Sequence, residues 1–545
     1  MSTEIDTELA VLLDVGSAWA KASIIGRVRG RWRLVTRVAQ PTAWGASELR
    51  AALLERLASA VDPRLTGRLD ELLASANRIE SHTARRPGRL AVVAVSRELS
   101  GSAARRAAEA AGWQIVEQVT LDDGRSLADR LATLQAIETD AWLVSGGFDG
   151  VMSPRALEAG ALVASARRAG GAPVVWAGSD ALADEVAALF EPDVVSVVAN
   201  PRPDARHDDA GPLRDYLQRL LRSVVARDEG THLSAIAMPR AIGALAAGSG
   251  LRILAVDVGA RLAISALAEP GREVSSRIHG DGGLAGLASN SGLGGRVSRL
   301  AGDAGDEAAV ADLLQTLRAR PASVPQTPEE LSAVQTAARV QLAALLEDAT
   351  AGPVDLLIGA GSTIALAPAP AQAVRILLDG ARPIGVTQLA VDAASVLGPL
   401  GSLPDDEIGE GMALLTEDLL VPLGTSVVCR GGEPGRTAMR VTIHRPGWPP
   451  IAPIEVRSGR LQVVPLGRGQ EAELTIEPGA GVTLGAARRS PRIQARATGG
   501  SVGLILDARG VPIVLPRRAE DRRAVLAGWR DAIGREAPAR VERVA

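Results

Sequence analysis

Hydrophobic and polar positions change rhythm several times along the chain. Leu9–Val15 (LAVLLDV) is an apolar run, Ala20–Val28 (AKASIIGRV) follows after a Gly-Ser turn, and Arg31–Ala39 (RWRLVTRVA) alternates. Runs of this length predict three short strands. Ser47–Ala60 places Leu49, Ala52, Leu53 and Leu57 at helical spacing with Ser47 as its N-cap, and a second helix is predicted over Leu65–Ser75. The polar stretch Asn77–Gly88 reads as a boundary.

From Arg89 to Asn200 strand and helix patterns alternate regularly. The apolar runs LAVVAV, QIVEQV, AWLVSG, PVVWAG and VVSVVA are separated by the amphipathic stretches AARRAAEAA, SLADRLATLQAI, ALEAGALVASARRA and ALADEVAALF. This predicts a Rossmann-like parallel sheet of βαβ units. Ligands of such sheets sit beyond the carboxyl ends of the strands, which puts Ser145–Gly150 and Ala177–Asp180 on one edge. The block lacks GxGxxG, so a dinucleotide is not indicated.

Helices are predicted over Pro212–Ala226 and Leu233–Ala247. Leu251–Ala260 (LRILAVDVGA) then repeats the opening pattern, an apolar strand ending in Asp-Val-Gly with a second strand after the turn. Helices follow at Leu293–Leu300, Glu307–Ala319 and Pro328–Glu347, and the strand VDLLIG runs into Ala360–Thr363. Beyond about Gly401 alternating segments dominate (TSVVCR, AMRVTIH, ELTIEP, SVGLILD, PIVLP), predicting an antiparallel β domain closed by a helix near Arg522–Ile533. The organisation expected is 1–88 and 231–400 as two parts of one core, 89–230 as an inserted α/β module, and 401–545 as a β-rich domain.

Composition narrows the functions. In 545 residues, 60 Lys+Arg against 63 Asp+Glu give a net charge of -3, without the basic excess of a nucleic-acid binder. Eight Trp, one Tyr and two Phe are too few for a base-stacking surface. One cysteine, Cys429, excludes a disulfide framework and cysteine-rich metal centres. The five histidines show no metal-ligand spacing. The N-terminus lacks the basic and apolar regions of a signal peptide, and no run reaches the length of a membrane span. A soluble, cytoplasmic protein is expected.

Lys21 is the only lysine, leaving 59 arginines. It lies in the most motif-like segment, Leu12–Lys21 (LLDVGSAWAK), where a compact ammonium meets a phosphate end-on as arginine's planar fork does not. A strand ending in Asp-x-Gly-Ser suits phosphate and magnesium: glycine lets backbone amides approach an anion, and Asp14 holds Mg²⁺ through water. Asp257 and Gly259 form the matching turn in the other half, and Gly359-Ala360-Gly361-Ser362 is a third glycine turn placed to approach a ribose or adenine. Other polar residues read structurally. Asp149 and Asp180 read as helix caps, Arg261 as solvent-facing, the arginines of Ala103–Ala107 as a solvated face, and Cys429 as a core residue.

This layout resembles the actin–Hsp70–sugar kinase superfamily, in which two phosphate motifs and an adenosine motif fall in that order. Within it the chain is similar to the MutL-like accessory proteins of adenosylcobalamin-dependent glutamate mutase (methylaspartate mutase), unrelated to mismatch-repair MutL. The resemblance covers roughly residues 8–400. It rests on LLDVGSAWAKASII, LVSGGFDG, VVWAGSDALADEV, VVSVVANPRP, AMPRAIGAL, AVDVGARLAIS, SRIHGDGGL and LLIGAGSTIAL, in that order.

The resemblance implies an α/β fold: a two-lobed actin/Hsp70-like ATPase core with an inserted Rossmann-like module and a C-terminal β-rich domain. It implies a chaperone-like factor that binds ATP and Mg²⁺ and reactivates or assembles a cobalamin-dependent mutase. Asp14, Gly16, Ser17 and Lys21 would bind phosphate, with Asp14 also serving Mg²⁺. Asp257, the catalytic residue by this resemblance, and Gly259 would face the terminal phosphate, with Asp257 orienting the attacking water. Gly359, Gly361 and Ser362 would approach adenosine. A protein partner or a second copy of the chain is expected, and neither nucleic acid nor membrane.

The second loop departs from the family's pattern, Asp-x-Gly-Gly-Ala-Thr-Thr-Asp. Ala260 replaces a glycine, the threonines are gone, and Ile264 replaces the final acid. In the first loop Ala18 and Ala20 replace threonines, and His279 stands where the family has an acid before Gly280-Asp281. Losing one preorganised donor costs on the order of 10²-fold in rate, so hydrolysis is expected to be slow or absent. The alternatives are a non-hydrolysing pseudo-ATPase scaffold and a small-molecule kinase, for which Asp281 would be the base.

Overall fold

The computed structural model describes residues 5–60, 67–83, 86–225, 232–280, 283–284, 293–302, 307–346, 352–449, 452–485 and 492–534. They form two compact units. One comprises Met1–Ser81, Arg240–Glu273 and Asp281–Ala545, the other His82–Pro239 and Val274–Gly280.

The first unit opens with β1 (Ile5–Val15), β2 (Trp19–Val28), β3 (Arg31–Pro41) and β4 (Asn77–His82), in the sheet order β3-β2-β1-β4. The helix Ala46–Ala60 covers this sheet with Leu49, Leu53 and Leu57, spaced one turn apart, and Leu69–Ser75 adds Leu69, Leu72 and Leu73. Ser47 is not the N-cap. It lies inside the helix and donates to Glu48 at 2.6 Å. The polar segment expected as a boundary contains β4, an edge strand whose mostly unburied side chains gave no apolar signal.

The second unit carries β5 (Arg89–Ala94), β6 (Gln114–Thr120), β7 (Ala141–Ser145), β8 (Val174–Trp176) and β9 (Val195–Val197), in the order β6-β5-β7-β8-β9. All four pairings are parallel. β5 and β7 are buried along almost their whole length, as continuous apolar runs between two helical layers require. The expected helices appear as Ser102–Ala110, Leu127–Ala136, Pro154–Ala166 and the short Ala183–Ala187.

The first unit resumes with β10 (Ile253–Val258) and β11 (Leu262–Ala268); β12 (Ser275–Gly280) lies in the second. β13 (Leu356–Ala360), β14 (Gly385–Val391) and β15 (Val421–Val428) follow, then the short β16 (Arg430–Gly431), β17 (Thr437–His444), β18 (Ile454–Arg457) and β19 (Leu461–Val464). β20 (Glu471–Pro478), β21 (Val482–Thr483), β22 (Ile493–Thr498) and β23 (Gly503–Asp507) complete the strands. One sheet continues in the order β11-β10-β13-β14-β15-β23-β19, with β10, β13 and β14 mutually parallel.

Residues beyond 401, expected as a domain of their own, thus extend this sheet through β15, β23 and β19. They also form a smaller antiparallel sheet, β18-β17-β20-β22, over a core of Met439, Val441, Ile443, Leu474 and Ile476. Pro512–Pro516 is not a strand, since two prolines in five residues remove ladder donors. The architecture is mixed α/β, with an inserted parallel βαβ module and a β-rich C-terminal part.

Candidate functional site

Asp14 sits near the end of β1 and Lys21 near the start of β2, directly opposite each other in the hairpin register. Opposed residues project to the same face, so Lys21 Nζ donates to Asp14 Oδ2 at 2.8 Å, with side chains only 12% and 17% exposed. Ser81 Oγ, fully buried on β4, donates to the other oxygen at 3.4 Å. Between them Gly16 N donates to Trp19 O at 3.0 Å, and a Cβ at Gly16 would stand 2.7 Å from that oxygen. Glycine is therefore required by the turn itself. Ser17 lies in the same turn, half-buried.

The second hairpin repeats this construction. Asp257 opposes Ile264 and Val258 opposes Ala263, as Asp14 opposes Lys21 and Val15 opposes Ala20. Gly259 N donates to Leu262 O at 2.9 Å. Ile264 thus occupies the place of Lys21, and a cation is built into one hairpin of the two. In both turns the glycine N–H is spent on closing the turn rather than left for a phosphate.

Asp257 pairs across the parallel strands with Ala360, and Gly361 follows with φ 81°. A Cβ at Gly361 would lie 2.4 Å from Asp257 Oδ1 and 2.5 Å from Val258 O, so the third glycine turn packs directly on the second Asp-x-Gly. Gly359 has a different reason to be glycine. Its missing Cβ faces Ile364 and Leu377 at 2.6 and 3.0 Å, where helices pack on β13. Ser362 begins the short helix Ser362–Ala365.

Sequence reasoning missed two members. Ser81 is one, and Asp392, at the end of β14, is the other. Asp392 is 1% exposed and accepts from Val396 N and Leu397 N at 2.9 to 3.0 Å, holding the start of the helix Leu397–Gly401. Its backbone N–H donates to Gly359 O at 2.9 Å. The signal was present, since LAVD ends an apolar strand in aspartate as LLDV and AVDV do.

Three carboxylates, Asp14, Asp257 and Asp392, therefore surround one ammonium. Burial pulls the Lys21 pKa down, but Asp14, Asp257 and Asp392 outweigh it and leave it raised. Burial pushes the Asp257 carboxyl up to about 6, Lys21 opposing and the other two carboxylates adding to the rise. Asp392 is raised by burial against its two backbone donors. Asp257 Oδ1 is shut off from solvent and has no hydrogen-bond partner among the described residues.

This donor set fits a hydrated divalent cation, which would relieve the excess negative charge and give the orphaned oxygen a water to accept from. Among the described residues no three His, Cys, Asp or Glu side chains converge closely enough to ligate an ion directly, so the fit is through water. A bound Mg²⁺ would supply charge neutralisation for phosphate oxygens. The second loop is less open. Gly283 N donates to Arg261 O at 3.0 Å and Leu284 N to Gly259 O at 3.1 Å, and a Cβ at Gly283 would stand 2.4 Å from the Ala260 backbone. Arg261 is exposed, as expected. Asp281 lies outside the described residues.

The remaining polar residues have structural partners. Asp149 Oδ1 accepts from the Asn200 side chain at 2.9 Å and from Asp180 N, which opens the short helical turn Asp180–Leu182, at 3.4 Å, whereas Asp180 Oδ1 accepts from Gly150 N at 2.6 Å and holds a loop amide rather than a helix start. Arg105 pairs with Glu109 at 2.8 Å and Arg106 with Asp208 on a partly exposed helix face. Cys429 is buried, its thiol pushed up to about 12 by burial and by Asp507. No described helix is long and apolar enough to cross a membrane.

Comparison with known proteins places these features. No curated protein sequence matches the chain. Solved structures similar to it include nucleotide-free acetone carboxylase (12% identity, 83% of this chain and 81% of that one, TM-score 0.30). Component A of (R)-2-hydroxyglutaryl-CoA dehydratase from Acidaminococcus fermentans is similar too (9%, 72% and 96%, TM-score 0.26). So is the ethanolamine utilization protein EutJ from Carboxydothermus hydrogenoformans (10%, 73% and 90%, TM-score 0.23). The family model described as MutL protein matches residues 10–419, a span that contains both Asp-x-Gly turns with Lys21, Ser81, the Gly361 turn and Asp392. The chain belongs to the MutL protein family.

Proposed function

We propose that this chain is a nucleotide-binding accessory protein, taking ATP with Mg²⁺ at the Asp14–Lys21 hairpin and acting on a cobalamin-dependent mutase of the glutamate mutase type. The observation that carries the nucleotide reading is one buried ammonium among three carboxylates, with Asp257 Oδ1 unpartnered. The mutase partner rests on membership of the family and on the resemblance of its motifs. In this reading Ser17 and Lys21 hold the phosphates, with Mg²⁺ bound through water at Asp14, and Gly16 shapes the turn that presents them. Asp257 and Gly259 face the terminal phosphate, and Gly359, Gly361 and Ser362 lie toward the adenosine.

Binding with little turnover is favoured over rapid hydrolysis. The second loop is covered by the Gly283–Leu284 backbone, and Ala260 and Ile264 bring no hydroxyl to a γ-phosphate. The test is calorimetric titration with MgATP, with phosphate release measured on the same sample. Lys21→Ala is expected to weaken MgATP binding tenfold or more, the loss of a charge-assisted contact of about 1.5–3 kcal/mol. Equal affinity in the two proteins would remove the phosphate assignment. Restored activity of an inactivated glutamate mutase in the presence of the chain and MgATP tests the partner, and no effect on it rejects that partner.

A further inference from the structure

The first unit carries a second buried charge cluster, which the nucleotide site does not use. Arg509 donates to both oxygens of Asp507 at 2.9 and 2.7 Å and to Asp379 Oδ1 at 2.7 Å. Arg339 donates to Asp379 Oδ2 at 3.0 Å and also to Thr336. Two carboxylates are thereby engaged by two guanidiniums. A third guanidinium, Arg375, stands one helical turn before Asp379, and its Nε is shut off from solvent with no hydrogen-bond partner among the described residues. The side-chain amide nitrogen of buried Gln335, one turn before Arg339, is unpartnered too.

These two orphans belong to neighbouring helices running in the same direction. Pro370–Ala381 connects the parallel strands β13 and β14, and Pro328–Leu345 leads into β13, so both run against those strands. Leu342 meets Gly380, and Arg339 reaches Asp379. One turn toward the N-terminus of each helix, Gln335 and Arg375 stand at the same level. Asp379 lies near the C-terminal end of its helix, whereas Asp257 and Asp392 lie at the carboxyl ends of β10 and β14. The cluster is therefore displaced toward the opposite edge of the sheet from Lys21.

We infer that Arg375 and Gln335 form a binding site for a small oxyanion, a phosphate or carboxylate group of a soluble ligand. The cluster holds three guanidiniums against two carboxylates, and both unsatisfied groups are donors. A buried donor without an acceptor costs free energy that an acceptor would return. A guanidinium fork matches a carboxylate or phosphate edge, and the amide adds a neutral donor beside it. Burial, with the nearby Arg339 and Arg509, lowers the Arg375 pKa to about 10, which still leaves it cationic at neutral pH.

The test titrates the full chain with inorganic phosphate and, separately, with succinate at constant ionic strength, following heat and thermal unfolding. A saturable response to either anion is expected, phosphate alone indicating a phosphoryl ligand and succinate alone a carboxylate. Arg375→Met should weaken it at least tenfold. Gln335→Leu, which leaves every ion pair of the cluster intact, should weaken it severalfold. Without anion, Arg375→Met should unfold at the same temperature as the parent or higher, because a partly buried guanidinium whose Nε lacks an acceptor has been removed. No response to either anion, a response undiminished in Arg375→Met, or a lower melting temperature for that variant without anion would overturn the site.

Discussion

A single carboxylate carries much of the candidate site's electrostatics. Asp257 is raised by burial to about 6, above the roughly 3.9 of an unfolded chain. The folded state therefore holds this proton more tightly. The stabilisation is complete below about pH 4 and is lost as pH rises through about 6. At pH 7.5 the ionised carboxylate weighs against folding by up to about 3 kcal/mol. Asp257→Asn should accordingly melt higher than the parent at pH 7.5 without Mg²⁺, the gap closing near pH 4. Added Mg²⁺ should raise the melting temperature of the parent by more than that of Asp257→Asn, which keeps Asp14 but carries less buried negative charge. Thermal scans at both pH values, with and without the metal, check this; an Asn variant that melts lower at pH 7.5 would contradict it.

At the scale of elements, two hairpins of the same register are joined to a glycine turn that fits only because it lacks a side chain. Gly361→Ala should cost at least about 2 kcal/mol, since it combines a positive φ with a contact on Asp257. Gly30→Ala is the control, with φ 77° but open space around it, and should cost about 1 kcal/mol. Urea unfolding separates the two, and equal losses would mean that the Asp257 contact is unimportant. The same elements show what the sequence made legible. Asp14, Lys21 and Asp257 were found because a strand, a tight turn and a strand are local patterns. Ser81 and Asp392 reach the cluster from 67 residues beyond Asp14 and from beyond β13, and neither pairing has a local period. β4 was missed because an edge strand with polar, exposed positions has no alternation to read. The cover over the second loop was also missed, since it depends on two backbone hydrogen bonds from Gly283 and Leu284 rather than on side-chain types.

At the scale of the whole molecule, the inserted unit looks separable on its own terms. It has two apolar cores, one on each face of its parallel sheet, built around Trp113, Leu213 and Leu217 on one side and Trp142, Trp176 and Leu162 on the other. Its two ends are also tied together, because His82 N donates to His232 O at 2.8 Å and His82 bridges Leu233. A segment with adjoining ends and its own core can be cut out with little loop-closure cost. Residues 82–239 expressed alone should therefore give a cooperative urea transition, even without the Ser276 hydroxyl that donates to Glu109 O. The complementary chain, with residues 86–231 replaced by a short Gly-Ser linker, should bind MgATP within about threefold of the parent, a difference under about 0.7 kcal/mol. The reason is that Asp14, Lys21, Ser81, Asp257, Gly361 and Asp392 all belong to the first unit. A deleted chain that folds but binds no MgATP would show that the nucleotide site needs residues of the inserted unit. Retained binding would confine the site to the first unit and leave the inserted unit free for a role outside nucleotide binding.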